Sequence, residues 1–315
     1  MDIMPNDYKT QTLVLLLLCF GLFPTGCRHQ TLETIAVCTA PPTTPSSLPA
    51  VRVQHAFILL EENHSFSSVI GNANMPYLNG LASTYAYAKG YYANTHPSIG
   101  NYFMLTAGQI ITNDDSFSAE ITADNIVRHL IAAGKTWHEY TENLPSVGYT
   151  GHNSGRYVEH HNPLAYFSDV RENSTQARNL VPFTQLAVDL ASHNLPNYAF
   201  LVPNNNDNAH DGSLAQADSW LKANVDPLIR SSDFSAPGGG LLVLVFDESF
   251  DSDRAGGGGH IVWVVAGPNI KKGFTSTSCY QHQSTLRFMS EALGLTSFPG
   301  EGATAPDMRE FLSSN

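Results

Sequence analysis

Charge is what this sequence has least of. Asp, Glu, Lys and Arg make up 14% of its 315 residues, against roughly 25% in ordinary soluble proteins. Basic residues are scarcest: 16 Lys plus Arg stand against 28 Asp plus Glu, a formal charge of -12. Lys271-Lys272 is the only adjacent basic pair. Nucleic acid is thereby excluded as a partner, since neutralising its phosphates takes clustered Lys and Arg. Long apolar runs are also missing. The longest, Leu13 to Phe23, is broken only by Cys19 and Gly21 and falls well short of the ~20 residues that cross a bilayer. There are four cysteines and no Cys-x-x-Cys, so neither a zinc ribbon nor a redox pair is supported. No internal repeat is present, which removes solenoids. What is plentiful is core: 42% of residues are hydrophobic and 10% aromatic, too many for a disordered chain. Thirteen histidines invite a search for metal or phosphate chemistry.

The amino terminus reads as an address. Residues 1–26 have the short apolar stretch of a signal peptide, although Asp2 and Asp7 accompany a single Lys9. Pro24-Thr25-Gly26-Cys27 resembles a bacterial lipoprotein cleavage site, with Pro24 where that motif usually has Leu. The expectation is an exported protein, in the periplasm, on the outer surface or secreted, with membrane attachment through a lipidated Cys27. An uncleaved signal anchor, or a cytosolic chain with a greasy tail, is the alternative. Residues 27–50 form a Pro/Ser/Thr-rich spacer, and residues 51–315 one folded domain. Cys38 and Cys279 remain, as a disulfide in an oxidising compartment or as two buried thiols.

The domain alternates strand and helix. Phe57-Ile58-Leu59-Leu60 and Leu241 to Phe246 are short continuous apolar runs, as in strands buried on both faces. Tyr85 to Tyr92, Tyr198 to Val202 and Ile261 to Ala266 are further strands. Helices are expected at 76–84, 99–107, 125–133, 184–192, at 213–226 with a stop before Pro227, and at 284–293 with Gly294 beyond its end. This is an α/β pattern: a mostly parallel sheet with helices on both faces. Residues 141–180 are polar and irregular, a loop subdomain placed over the site.

In such sheets, ligands bind past the carboxyl ends of strands. The two clearest strands run into Glu61-Glu62-Asn63-His64 and Asp247-Glu248. Carboxylates beside a core are costly unless a cation meets them. Oxygen ligands favour Ca, Mg or Mn, and nearby His admits Zn or Fe. Solvated or helix-capping acids are the competing explanation. Ser98, in Thr95-His96-Pro97-Ser98, opens a helix. Its hydroxyl would face the free N–H groups of the first turn, a phosphate cradle, and become a nucleophile next to a metal. On spacing alone, an ordinary N-cap is the better explanation. His210-Asp211 follows a strand through an Asn-rich turn and could protonate a leaving group. His96, Asp211, Asp218, His260 and His282 are candidates for substrate contacts or a second metal site.

Together these segments carry a resemblance. Glu62-Asn63-His64-Ser65-Phe66 resembles the opening signature of the phosphoesterase family of bacterial acid phosphatases and phospholipases C, which is alkaline-phosphatase-like in fold. His96 to Tyr102 resembles its nucleophile motif and Phe246-Asp247-Glu248 its metal motif. Val202 to Ser213 and Tyr280 to Arg287 match as well, so five motifs run in order from about residue 53 to about 295. Ser67 and Gly100 stand where the family usually has Asp and Pro. The resemblance implies a three-layer alkaline-phosphatase-like sandwich. It implies a divalent metal held by Glu62, Asn63, Asp247 and Glu248, Ser98 as nucleophile, and His210 at the leaving oxygen. The reaction would be metal-dependent hydrolysis of phosphate monoesters through a phosphoserine. The substrate would be a small phosphate ester or a phospholipid. Cleavage of phospholipid headgroups as a phospholipase C, and a lipid-anchored binding protein that has lost catalysis, are the rival readings.

Overall fold

A computed structural model describes Cys38 and residues 52–313. The signal, Cys27 and nearly all of the spacer lie outside the described residues. Eight strands form one sheet: β1 His55–Glu61, β2 Ala86–Tyr92, β3 Trp137–Thr141, β4 Leu180–Pro182, β5 Tyr198–Val202, β6 Gly240–Phe246, β7 Trp263–Ala266 and β8 Phe274–Gln281. Their order is β4-β3-β5-β1-β6-β7-β2-β8. Every pairing is parallel except those of β7, which runs antiparallel to both β6 and β2. The irregular segment from 247 to 262 joins β6 to β7. Without a crossover helix, the chain can only return antiparallel.

All seven residues of β6 are buried, and so are Ala56 to Glu61 in β1. Alternate residues of a strand face opposite sides, so burial of both sets requires layers on both faces. Among the described residues, six helices of seven or more residues supply them: α1 Pro76–Thr84, α2 Ile99–Ala107, α3 Ile126–Ala132, α4 Gln185–Ala191, α5 Leu214–Arg230 and α6 His282–Ala292. Helix α1 packs on α5, and α2 on α6. The Asp218 carboxylate of α5 accepts the N–H groups of Tyr77 and Leu78, both at 2.9 Å, and so caps α1.

Helix α5 does not stop at Pro227 as the sequence suggests; it runs on to Arg230 with Pro227 inside. Pro227 and Ala223, whose carbonyl loses its usual donor, are both exposed, so water can satisfy that oxygen. Buried Leu228 and the Arg230–Asp226 ion pair at 2.7 Å hold the last turn. Cys38 and Cys279 form a disulfide that fastens the segment at residue 38 to β8. No helix among the described residues is long and apolar enough to cross a membrane.

Candidate functional site

Because β7 alone is reversed, the carboxyl ends of β1, β2, β3, β5, β6 and β8 open on the same side. Glu62 follows β1, Ser98 follows β2, the Asn204–Asp211 turn follows β5, Asp247 and Glu248 follow β6, and His282 follows β8. Glu62 and Asp247, remote in sequence, meet here: the Asn63 backbone N–H donates to Asp247 Oδ1 at 3.2 Å. Asn63 is in the left-handed region at φ 52°, a conformation Asn tolerates better than most residues.

Ser98 does not cap α2 with its side chain. Its backbone is already helical and its hydroxyl makes no cap hydrogen bond; Oγ instead donates to Glu62 Oε2 at 3.3 Å. The cap comes from Asp115, whose Oδ1 accepts the Ile99 N–H at 3.1 Å. The expected open cradle of first-turn N–H groups is thus partly filled, and Ser98 Oγ is left aimed at carboxylates. Gly100 is closely packed: a Cβ there would lie 2.6 Å from the Thr95 methyl and 2.3 Å from Asn113 Oδ1, so both side chains would have to shift. Ser67 is exposed and lies apart from this cluster.

Glu62 and Asp247 are fully buried. Burial, then the Asp247 charge, drives the Glu62 carboxyl well above its ordinary pKa, although Tyr102 donates its hydroxyl to Oε1. Burial, then Glu248, pushes Asp247 up to about 7, against hydrogen bonds from Glu62 and Ser98. Acids crowded this way repel one another unless a cation intervenes. With its nitrogen turned inward, the Asn63 amide donates to Glu62 Oε2 at 3.0 Å and Asp247 Oδ1 at 3.2 Å. With its oxygen inward, it stands at the same separations beside Glu62 Oε2 and Asp247 Oδ1, three oxygens of the kind a hard divalent cation binds. Asp247 Oδ2 is buried without a hydrogen-bond partner. The residues present fit a metal ion.

Other candidates divide sharply. His210 Nδ1 is 2.7 Å from Asp211 Oδ1, and its ring is 6.2 Å from that of His161. His96 Nδ1 lies 2.9 Å from Glu248 Oε2. His282 is buried beneath the site with Nε2 2.6 Å from the Asp247 backbone oxygen; burial holds its pKa down to about 4. His260 turns away, its Nε2 2.7 Å from the Lys89 carbonyl and its ring stacked on Phe66. With Asp218 committed to α1, the suggested second site of Asp211, Asp218, His260 and His282 does not assemble.

Sequence reasoning missed His161 and Tyr102. His161 Nε2 lies 3.3 Å from Glu62 Oε1, its ring stacked 5.1 Å from Tyr102. Burial holds it well below the ordinary histidine pKa, and so does neighbouring His160. It sits in the short turn Glu159–His161 within the irregular 141–180 segment; the adjacent His160-His161 pair was the available signal. Tyr102 lies one helical turn beyond Ser98, a spacing that puts both on one face. Ahead of the Ser98 turn, Gly257 and Gly258 press on the 94–95 backbone: a Cβ at Gly257 would sit 2.0 Å from the Asn94 carbonyl oxygen, and one at Gly258 2.2 Å from that of Thr95.

Residues 72–296 match the profile of the Phosphoesterase family. A phosphatidylinositol-3-phosphatase of Mycobacterium tuberculosis is 31% identical over 267 residues, covering 84% of each chain. An acid phosphatase of Aspergillus fumigatus is 30% identical over 84% of this chain and 60% of its own length. In fold, the chain is similar to an alkaline phosphatase superfamily protein of Vibrio parahaemolyticus (TM-score 0.59, 13% identity, 83% of this chain and 73% of that one). It is also similar to the lipoteichoic acid synthase LtaP of Listeria monocytogenes (TM-score 0.61, 10% identity, 84% and 78%). These define an enzyme that hydrolyses phosphate esters, on an alkaline-phosphatase-like α/β fold. More particularly, the chain belongs to the Phosphoesterase family.

Proposed function

We propose that the protein is a metal-dependent phosphomonoesterase that works through a phosphoserine on Ser98. One observation carries this reading: a buried hydroxyl, freed from capping duty, stands 3.3 Å from the Glu62 carboxylate, which also faces Asn63 beside Asp247. Glu62, Asn63 and Asp247 would hold that cation, with Glu248 beside them. When bound, it would lower the pKa of a coordinated hydroxyl and offset negative charge on the phosphoryl oxygens.

The chain's own residues account for the remaining steps. Ser98 Oγ, its proton given up to solvent water, attacks phosphorus. The P–O bond to the leaving alcohol breaks as O–P to Ser98 forms. His210, held at Nδ1 by Asp211, donates its Nε2 proton to the departing oxygen. Water then attacks phosphorus and gives one proton to His210, the bond between phosphorus and Ser98 Oγ breaks as phosphate leaves, and Oγ regains its proton from solvent water. The Tyr102 hydroxyl fixes the orientation of Glu62, and the His161 ring, stacked on Tyr102, holds that tyrosine in place.

The relatives named above as a phosphatidylinositol-3-phosphatase and an acid phosphatase support a monoester substrate over the diester of a phospholipase C. Export with cleavage at Cys27, and attachment there by lipid, belong to the same proposal; the Cys38–Cys279 disulfide supports an oxidising compartment. Hydrolysis of p-nitrophenyl phosphate should vanish with chelator, return with divalent metal, and fall by several orders of magnitude in Ser98→Ala. Wild-type turnover by Ser98→Ala, or turnover confined to diesters, would overturn the reading. Phosphate binding with no turnover would instead indicate a binding protein.

A further inference from the structure

His210 stands on a backbone that has to be held in place. Ala209, immediately before it, has φ 74°, in the left-handed region that non-glycine residues rarely adopt. Such conformations persist where the surroundings fix them, and they gather at functional sites. Asn208 and Ala209 are each only 1% exposed. The Asn208 side-chain oxygen accepts the His210 N–H at 3.0 Å, and its carbonyl accepts the Glu62 N–H at 2.8 Å.

This turn is rooted at Asn204, where every polar group is engaged. The Asn204 carbonyl accepts the N–H groups of Asp207 and Asn208 at 2.8 and 2.9 Å. Its side-chain oxygen accepts the Asn206 N–H at 2.9 Å. Its Nδ2 donates to Asp207 Oδ2 and to Glu142 Oε2, both at 2.9 Å. Its backbone N–H also donates to Glu142 Oε2, again at 2.9 Å. The other oxygen, Glu142 Oε1, accepts the indole N–H of Trp220 on α5 at 2.9 Å. Glu142 is the first residue past β3, and its own N–H donates to the Val202 carbonyl at the end of β5 at 2.9 Å. One carboxylate thus ties β3, α5 and the root of the turn together. A glutamine there would have one oxygen for two donor groups and would set its NH2 against the other.

We propose that Glu142 is a positioning residue for the leaving-group acid: through Asn204 it holds the turn that aims His210 at the departing oxygen. This rests on the phosphatase reading above, with His210 as the proton donor. Glu142 lies in none of the five motifs, and its three side-chain hydrogen bonds all go to Asn204 and Trp220. Its effect on turnover therefore runs through the turn.

A displaced acid shows itself in the choice of leaving group. p-Nitrophenolate is a weak base and departs without a proton, whereas an alkoxide needs one. Glu142→Ala should lose about 100-fold in kcat on ethyl phosphate, the scale of a catalytic group moved by about 1 Å, and little on p-nitrophenyl phosphate. Glu142→Gln should fall between it and wild type, and carries the test if Glu142→Ala does not fold. His210→Ala should show the same selective loss, and combining it with Glu142→Ala should cost nothing further. Equal losses on both esters in the Glu142 variants, or wild-type rates on both, beside a selective loss in His210→Ala would overturn the inference and leave the phosphatase reading intact. No selectivity in His210→Ala would overturn it together with the role given to His210.

Discussion

His282 Nε2 and the backbone oxygen of Asp247 lie 2.6 Å apart, wholly out of solvent. The ring is neutral there, because burial depresses its pKa, so Nε2–H donates and fixes the backbone beneath a candidate metal residue. Supporting contacts of this kind are worth about 10–100-fold in metal affinity or activity. His282→Ala should lower kcat/KM by that factor, and His282→Gln, which keeps a donor, should recover part of it. Steady-state kinetics on p-nitrophenyl phosphate would read the difference. A wild-type value in His282→Ala would refute the assignment.

Tyr102→Phe removes one hydroxyl and leaves the ring packed against His161 and Phe200. A hydrogen bond to a buried carboxylate contributes about 1.5–3 kcal/mol. The variant should keep a melting temperature within a few degrees of wild type yet lose roughly ten- to a hundredfold in kcat/KM. Equal losses in stability and turnover would mean that Tyr102 only supports the fold.

Glu139 lies on β3, fully buried, with one oxygen accepting the Leu164 N–H at 3.2 Å and the other without a partner. Burial raises its pKa well above the ordinary carboxyl value, the backbone hydrogen bond opposing. The folded protein therefore holds this proton more tightly than the unfolded chain. Its contribution is complete below the unfolded pKa of about 4.3 and is lost as pH rises through the folded pKa. Glu139→Gln should raise the urea midpoint relative to wild type at about pH 8, and the gap should close near pH 4. A gap independent of pH would exonerate Glu139.

The Cys38–Cys279 bond closes a loop of 241 positions. Chain-entropy arguments place its effect at about 5 kcal/mol at most, and about 2–4 kcal/mol is typical. Cys279→Ser should lower stability by that amount in denaturant titrations while leaving kcat unchanged, because Cys279 is exposed on β8. A matching loss of turnover would show that the tie also shapes the site.

Much of this architecture could be read in advance where one physical force dominates. β1 and β6 are built on continuous apolar segments, and hydrophobicity alone marks them. β3 lies inside the sheet between β4 and β5, yet its sequence is Trp-His-Glu-Tyr-Thr; Glu139 and Thr141 are buried against propensity, so no pattern announces it. β8 is an edge strand with a polar, largely exposed centre and reads as loop. At the site, Glu62, Ser98 and Asp247 stood out because each follows a strand or opens a helix. His161 did not, because it is delivered by an irregular segment whose path depends on tertiary packing.

Gly257 and Gly258 set limits on how this site can be altered. At this point main chain is laid on main chain, with no room for even a methyl group. Any side chain at Gly257 or Gly258 would have to displace the 94–95 backbone, and with it the turn that carries Ser98.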